Sequence, residues 1–329
     1  WIHAAALAGY ILAALICFRL AYRMTPNARL FFMSGRFAGM FLFWYFPAFL
    51  LATASVMRAY PVRRMVHAGL AVLLLALYGY SNWIEPFRLE ISHYTYTTPA
   101  LSGLERPIVI AQVADFQTER FGAYEERAIR EIAAQKPDII AYCGDYVAIG
   151  PETIQVAGIH KLFKEVEESC EPMAMYAVTG DCEFPRAVGR AVNNTRVIGM
   201  EDEALPLALP GVEINVVGLS RPTSRSDKKQ KLAEILSRTQ PHRFTLIIGH
   251  SPEFAFRLSD AGFPFHDRPF LALAGHTHGG QVQLPFWGPL TTATELPRKF
   301  ADAFVPLGNG VLSVSRGIGM ERFDAPQIR

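Results

Sequence analysis

The sequence predicts an α/β domain over residues 107–329, preceded by an all-α transmembrane bundle of about three helices over residues 1–84. A linker over residues 85–106 joins them. Three observations carry this reading. Apolar runs of bilayer length recur near the N-terminus. Short apolar runs alternate with helical spacing through the rest of the chain. Those short runs end repeatedly in glycine followed by Asp or His.

At 329 residues the chain has room for one large domain and an extra module. A net charge of +2 gives no strong field for nucleic acid, which is excluded as a partner. Mean hydropathy is +0.16, high for a soluble protein, and the excess sits in the first 84 residues. Cys17, Cys143, Cys170 and Cys182 form no C-x-x-C pair. That argues against a zinc knuckle or a disulfide framework and fits a reducing compartment.

Residues 1–18, 37–57 and 65–84 contain no Asp, Glu, Lys or Arg. Each approaches the ~20 apolar residues that a bilayer span requires. Tyr78, Tyr80 and Trp83 close the third run like an interfacial belt. Pro47 is a candidate kink in the second. The first link carries Arg19, Arg23, Arg29 and Arg36; the second carries Arg58, Arg63 and Arg64. The positive-inside rule then puts the first link in the cytoplasm, and three spans put the C-terminal domain there too. The expected location is a bacterial inner membrane. No charge interrupts the runs, which argues against a transporter. The linker reads as an exit from the membrane followed by a connecting strand.

Beyond it, residues 107–114, 138–143 and 173–179 read as strands, separated by helices over 124–135 and 153–168. Further strands are expected at 213–219, 243–248, 269–274, 281–284 and 310–315, with helices over 226–238 and 252–260. Strands alternating with helices predict a sheet covered by helices.

The endings of these strands carry the chemistry. They read Ala-Asp-Phe-Gln at 114–117, Gly-Asp at 144–145, Gly-Asp-Cys-Glu at 180–183, Gly-His at 249–250 and Gly-His-Thr-His at 275–278. Ligands bind at that edge of open α/β sheets. Oxygen and imidazole donors without paired thiolates suit Mn²⁺, Fe or Zn²⁺. Each ending alone has a plain structural reading, since Gly-Asp is a common turn and Asp115 could cap a helix. Five in order on one chain point to a shared site. His276 and His278 stand two apart, so an extended segment would splay them and the loop must turn both inward. The segment holding Arg221, Arg225, Lys228, Lys229 and Lys231 reads first as a solvated helix face. Contact with lipid phosphates is the alternative reading, shared by Arg298, Lys299 and Arg316.

These residues resemble the calcineurin-like metallophosphoesterase superfamily, whose pattern runs D-x-H, G-D, G-N-H-D/E, H and G-H-x-H. The most specific piece is the run from Gly275 to Pro285. With Val314 to Gly319 it resembles the membrane-associated, YkuE-like branch, which also includes a UDP-2,3-diacylglucosamine pyrophosphatase of lipid A biosynthesis. The resemblance implies a four-layer α/β/β/α sandwich and two divalent metal ions, Mn²⁺ foremost. One ion would take Asp115, Gln117, Asp145 and His278. The other would take Asp145, Asp181, His250 and His276, with Asp145 bridging. The implied activity is metal-dependent hydrolysis of a phosphodiester or diphosphate bond in a phospholipid or glycolipid. UDP-2,3-diacylglucosamine, split to lipid X and UMP, is the best match.

Three positions depart from the pattern. Gln117 replaces a His with a neutral oxygen donor, as in family members similar to the Mn-dependent ADP-ribose/CDP-alcohol diphosphatases. Asp181 replaces an Asn and adds a negative charge. Cys182 replaces the His held to protonate the leaving group; a thiol is a weak hydrogen-bonding partner. Glu183, next in the chain, is the candidate acid in its place. A good leaving group such as a nucleoside monophosphate needs less protonation. The same departures support the competing expectation of a metal- and phosphate-binding module without turnover.

Overall fold

The computed structural model describes residues 39–225, 228–258, 262, 268–280, 282–284, 286–289, 292 and 294–320. The apolar run at 1–18 and the four-arginine link after it lie outside these residues. The chain divides into two compact units, one ending at Arg88 and the other beginning at Leu89.

In the first unit a π-helical turn, Phe41–Tyr45, leads into α1, Phe46–Val56, and α2 spans Pro61–Trp83. The π turn sits just before Pro47, whose ring would clash with a regular helical carbonyl four residues back. Pro61 occupies the first turn of α2, where its missing N–H is harmless. The π turn packs on α2 through Tyr78, whose ring centroid lies 6.0 Å from Phe43 and 5.1 Å from Trp44. Val62, Met65, Val72 and Leu73 point outward and are more than half exposed. The stretch Pro61–Phe87, with 27 residues, is long and apolar enough to cross a membrane. The second apolar run forms only the shorter helical stretch Phe41–Val56. Among the described residues one helix therefore has the length of a span, where the sequence reading expected two.

The second unit is built from β1, Ile110–Val113; α3, Ala123–Ala134; β2, Ile139–Tyr142; α4, Glu152–Ser169; β3, Ala174–Ala177; α5, Ala187–Ala191; and β4, Val197–Gly199. There follow β5, Glu203–Leu209; β6, Val212–Gly218; α6, Arg221–Arg225; α7, Lys229–Ser237; β7, Thr245–Ile248; α8, Glu253–Arg257; and β8, Phe270–Ala274. The last elements are β9, Gln283–Leu284; β10, Gly288–Pro289; β11, Ala303–Leu307; and β12, Gly310–Val314. One sheet is parallel, in the order β1-β2-β3-β4. The other is mixed, in the order β11-β12-β8-β7-β6-β5, with antiparallel edges.

Side-chain alternation sets the layers. In β2, Ile140 and Tyr142 join a core with Ile159, Leu162 and Phe163 of α4. Ile139, Ala141 and Cys143 face the other way, into a core with Val216, Leu246, Ile248 and Leu271 of the second sheet. On the far side, Ile247, Ala272 and Leu312 meet Leu232, Ile235 and Phe254 from the α7 and α8 helices. The order is α/β/β/α, as expected. Gln112 ties the sheets together: its Nε2 donates to Ala274 O at 2.7 Å, and Ser313 Oγ donates to its Oε1 at 2.6 Å.

Three strands escape the sequence pattern for definable reasons. β5 and β11 contain Pro206 and Pro306, which interrupt the alternation. Both lie at sheet edges, where a missing donor is tolerated. β4 has only three residues. The expected strand at 281–284 shrinks to a two-residue pairing with β10. The expected helix at 226–238 begins at Lys229, behind a separate turn, α6. The linker contains no paired strand. Tyr94 instead stacks on Phe304 with centroids 4.4 Å apart, and Tyr96 Oη donates to Asn309 O at 3.0 Å.

Candidate metal centre

The parallel strands of both sheets end at one shared edge. Asp115 follows β1, Asp145 follows β2, Asp181 follows β3, His250 follows β7, and His276 and His278 follow β8. Backbone hydrogen bonds lock these ends to one another: Asp115 N donates to Gly144 O at 3.0 Å, Gln117 N to Asp145 O at 2.9 Å, and Gly275 N to His250 O at 2.9 Å. Asp115, Gln117, Asp145, His276 and His278 all have positive φ, between 42° and 71°. That conformation is unfavourable for residues with a Cβ and persists where the surroundings enforce it, as at functional sites. It also resolves the spacing of the two histidines. Thr277 N bonds back to Gly275 O at 2.9 Å, and its Oγ1 turns away to Ala301 O at 2.5 Å.

Asp181, His250 and His276 offer ligand atoms all within 4.8 Å of one another, and so do Asp115, Asp145 and His250. His276 Nδ1 lies 3.2 Å from Asp181 Oδ2, and His278 Nε2 lies 3.6 Å from Asp115 Oδ1. His250 Nε2 lies 3.5 Å from Asp145 Oδ2 and therefore borders both groups. Gln117 Nε2 donates to Asp145 Oδ2 at 3.0 Å. All seven side chains expected to hold metal thus meet at this edge.

Two orphaned atoms test whether the residues suit cations. His250 Nδ1 lies 2.8 Å from Cys143 O, and a carbonyl can only accept, so Nδ1 carries the proton. When the ring is neutral, as a metal ligand must be, Nε2 is a lone pair, and in the structure it is buried and without a hydrogen bond. Gln117 Oε1 is buried and unbonded as well. Orphaned acceptors of this kind need an explanation. A ring held by a carbonyl behind it with its other nitrogen free is the usual arrangement of a metal-binding histidine. The donor set fits divalent ions.

Glycines admit the carboxylates. A Cβ on Gly180 would fall 2.2 Å from Asp145 Oδ1, and one on Gly275 would fall 2.3 Å from Asp115 Oδ2. A Cβ on Gly317 would meet Asp115 Cβ at 2.6 Å. Gly319 N donates to Asp115 O at 2.7 Å, so the segment after β12 backs the first carboxylate.

Glu183 is 5 % exposed and serves the loops. Its Oε2 accepts from Gly180 N at 2.7 Å and Asp145 N at 3.0 Å; its Oε1 accepts from Tyr146 N at 2.7 Å. A carboxylate turned onto three backbone donors holds two ligand loops together. Cys182 lies at the centre: its N donates to Asp145 Oδ1 at 2.8 Å, and its Sγ is 3.4 Å from Asp145 Oδ2. Gln155 of α4, which the sequence did not single out, supports this loop. Its Nε2 donates to Cys182 O at 2.7 Å, and its Oε1 accepts from Phe184 N at 3.0 Å.

The basic segment also proves to be more than a solvated face. Arg221 Nε donates to Asp181 Oδ1 at 2.5 Å, and Arg225 donates to Asp181 Oδ2. Arg316 pairs instead with Asp302 at 2.5 Å. An Arg four residues from another on a helix is a pattern that could have signalled one shared target.

Electrostatics divide the carboxylates. Burial, reinforced by the charge of Asp145, pushes Asp115 well above the ordinary carboxylate range. Burial also works on Asp145, but His250 and the Cys182 N–H outweigh it and leave its pKa lowered. Burial and then Asp145 raise Glu183 to about 7. A compact group of negative charges inside a protein calls for compensating cations.

No family model matches the chain. It is 26% identical over 251 residues to a protein of Bacillus subtilis (strain 168) named as the uncharacterized metallophosphoesterase YkuE, covering 74% of this chain and 84% of that one. It is 24% identical over 267 residues to phosphodiesterase YaeI of Escherichia coli (strain K12), covering 78% of this chain and 92% of that one. These likenesses support the metallophosphoesterase superfamily and a hydrolase acting on phosphodiester bonds.

Proposed function

We propose that this metallophosphoesterase-like chain uses two divalent ions, Mn²⁺ foremost, to hydrolyse a diphosphate or phosphodiester bond in a membrane-associated phospho-substrate. The observation that supports it most is the convergence of seven oxygen and nitrogen donors, with His250 Nε2 and Gln117 Oε1 buried and unbonded. Bound there, two ions would supply Lewis acidity and a hydroxide at neutral pH. Asp145 belongs to one ligand group and lies 3.5 Å from His250, which both share; we assign it to bridge the two ions. Cys182, beside it, would border the scissile phosphoryl group. Its weak donor favours a substrate whose leaving group departs without full protonation, which favours a diphosphate over a simple ester.

The helix Pro61–Phe87 supports a membrane anchor, and an anchored site meets lipid substrates at high effective concentration. A glycolipid such as UDP-2,3-diacylglucosamine, giving lipid X and UMP, is the specific substrate we favour. The proposed setting is a bacterial inner membrane with the catalytic unit in the cytoplasm. Purified full-length protein with Mn²⁺ is expected to cleave this substrate or simple phosphodiesters, and Asp145→Ala is expected to abolish turnover. If the protein with Mn²⁺ leaves all of them intact, the reading fails. A binding module without turnover, motivated by Cys182, then takes its place.

A further inference from the structure

Asp181 adds a negative charge where the resembling family carries Asn, and two arginines meet it. Arg221 and Arg225 lie four apart on α6 and so share a face. The turn that carries them is itself clamped. Asp202 Oδ1 accepts from Ser220 N at 2.9 Å, and its Oδ2 accepts from Ser220 Oγ and Thr223 Oγ1, each at 2.9 Å. Neither guanidinium is consumed by its carboxylate. Each presents one described bond to Asp181, and the arginine side chains are 48% and 44% exposed. Guanidinium forks of this kind match phosphate oxygens as well as they match a carboxylate.

We propose that Arg221 and Arg225 form an anion receptor for a phosphate group beside the metal centre, held in place by Asp181 until Asp181 turns to a metal ion. The inference rests on the metal-centre reading and deepens it. The receptor suits a substrate with two adjacent phosphates, one at the metals and one at the arginines. Asp181 has two competing uses, as partner of the arginines and as metal ligand, so the arginines should weaken metal binding and strengthen anion binding. A merely structural pair would support both.

Two calorimetric titrations of the full-length protein separate these roles without turnover. In the first, Mn²⁺ is titrated into metal-free protein. Arg221→Ala and Arg225→Ala are expected to bind Mn²⁺ as tightly as the parent or several-fold tighter, whereas Asp181→Asn weakens binding. In the second, inorganic pyrophosphate is titrated into metal-free protein. Asp181→Asn, which releases the arginines, is expected to bind it about tenfold tighter than the parent, and adding Arg221→Ala and Arg225→Ala removes that gain. Looser Mn²⁺ binding in the arginine variants overturns the proposal, as does a pyrophosphate gain that survives their removal. Absent hydrolysis with both titrations as expected would defeat the hydrolase reading and leave this one standing.

Discussion

At the scale of single residues, the side chains that gather at the candidate metal centre could be read from the sequence and their supports could not. Asp115, Asp145, Asp181, His250 and His276 each follow a strand and a small residue, and His278 stands two places further on. That local signal survives without any knowledge of the third dimension. Gln155 reaches the site from a helix, where nothing local marks it, and the arginine pair is marked only by its spacing of four. Glu183 shows the limit most clearly, because nothing local signals that its oxygens accept three backbone N–H bonds. Cys182 supplies the prediction at this scale. Its thiol lies 3.4 Å from Asp145 Oδ2, so a histidine there would add a proton donor at the centre. Cys182→His is expected to raise kcat on a diester with a poor leaving group by about tenfold or more, with little effect on a diphosphate. Steady-state kinetics on both substrates check this, and equal changes on the two would contradict it.

At the scale of elements, the strands read correctly were the buried parallel ones, whose unbroken apolar runs mark them. The edge strands β5 and β11 escaped because Pro206 and Pro306 break the pattern at places where an edge permits it. The strand ends are also where glycine is irreplaceable. Gly275→Ala would drive a Cβ to 2.3 Å from Asp115 Oδ2, so either the loop or the carboxylate must move. The expected outcome is a Mn²⁺ affinity at least about tenfold lower by calorimetry, comparable to loss of a ligand-supporting contact. Unchanged affinity would mean that Asp115 is not held as described.

The opposite end of β2 offers a stability test. Arg106 donates to Asp138 Oδ1 at 2.6 Å and Oδ2 at 2.9 Å, and Val109 N donates to Oδ2 at 2.9 Å. The arginine hydrogen bonds chiefly hold the Asp138 carboxyl below its usual range. A lowered folded pKa stabilises the protein above the unfolded value and is lost as pH falls through the folded one. Asp138→Asn is therefore expected to cost about 1 kcal/mol at pH 7, with the difference shrinking below about pH 4. Denaturant melts at both pH values measure it, and a gap that persists in acid would contradict the assignment.

At the scale of the whole molecule, the alternation of strands and helices predicted a sheet covered by helices, and only the family resemblance implied the α/β/β/α order. How the two sheets bring their strand ends to one edge was not legible, since β1 and β8 are adjacent only through side chains such as Gln112. The N-terminal unit follows a different logic. α2 turns apolar side chains outward, which suits lipid on length and composition. Full-length protein is expected to stay with membranes after alkaline carbonate extraction, and release into the supernatant would count against an anchor.

The proposed hydrolysis requires this edge of the second unit to hold two divalent ions around Asp145. Crystals grown with Mn²⁺ and a phosphate analogue, measured at the manganese edge, test it most directly. Two anomalous peaks about 3.5–4 Å apart on either side of Asp145 are expected, one near Asp115 and one near Asp181 and His276. No peak among these residues, or a single ion that Asp145 does not touch, would contradict a two-metal centre here.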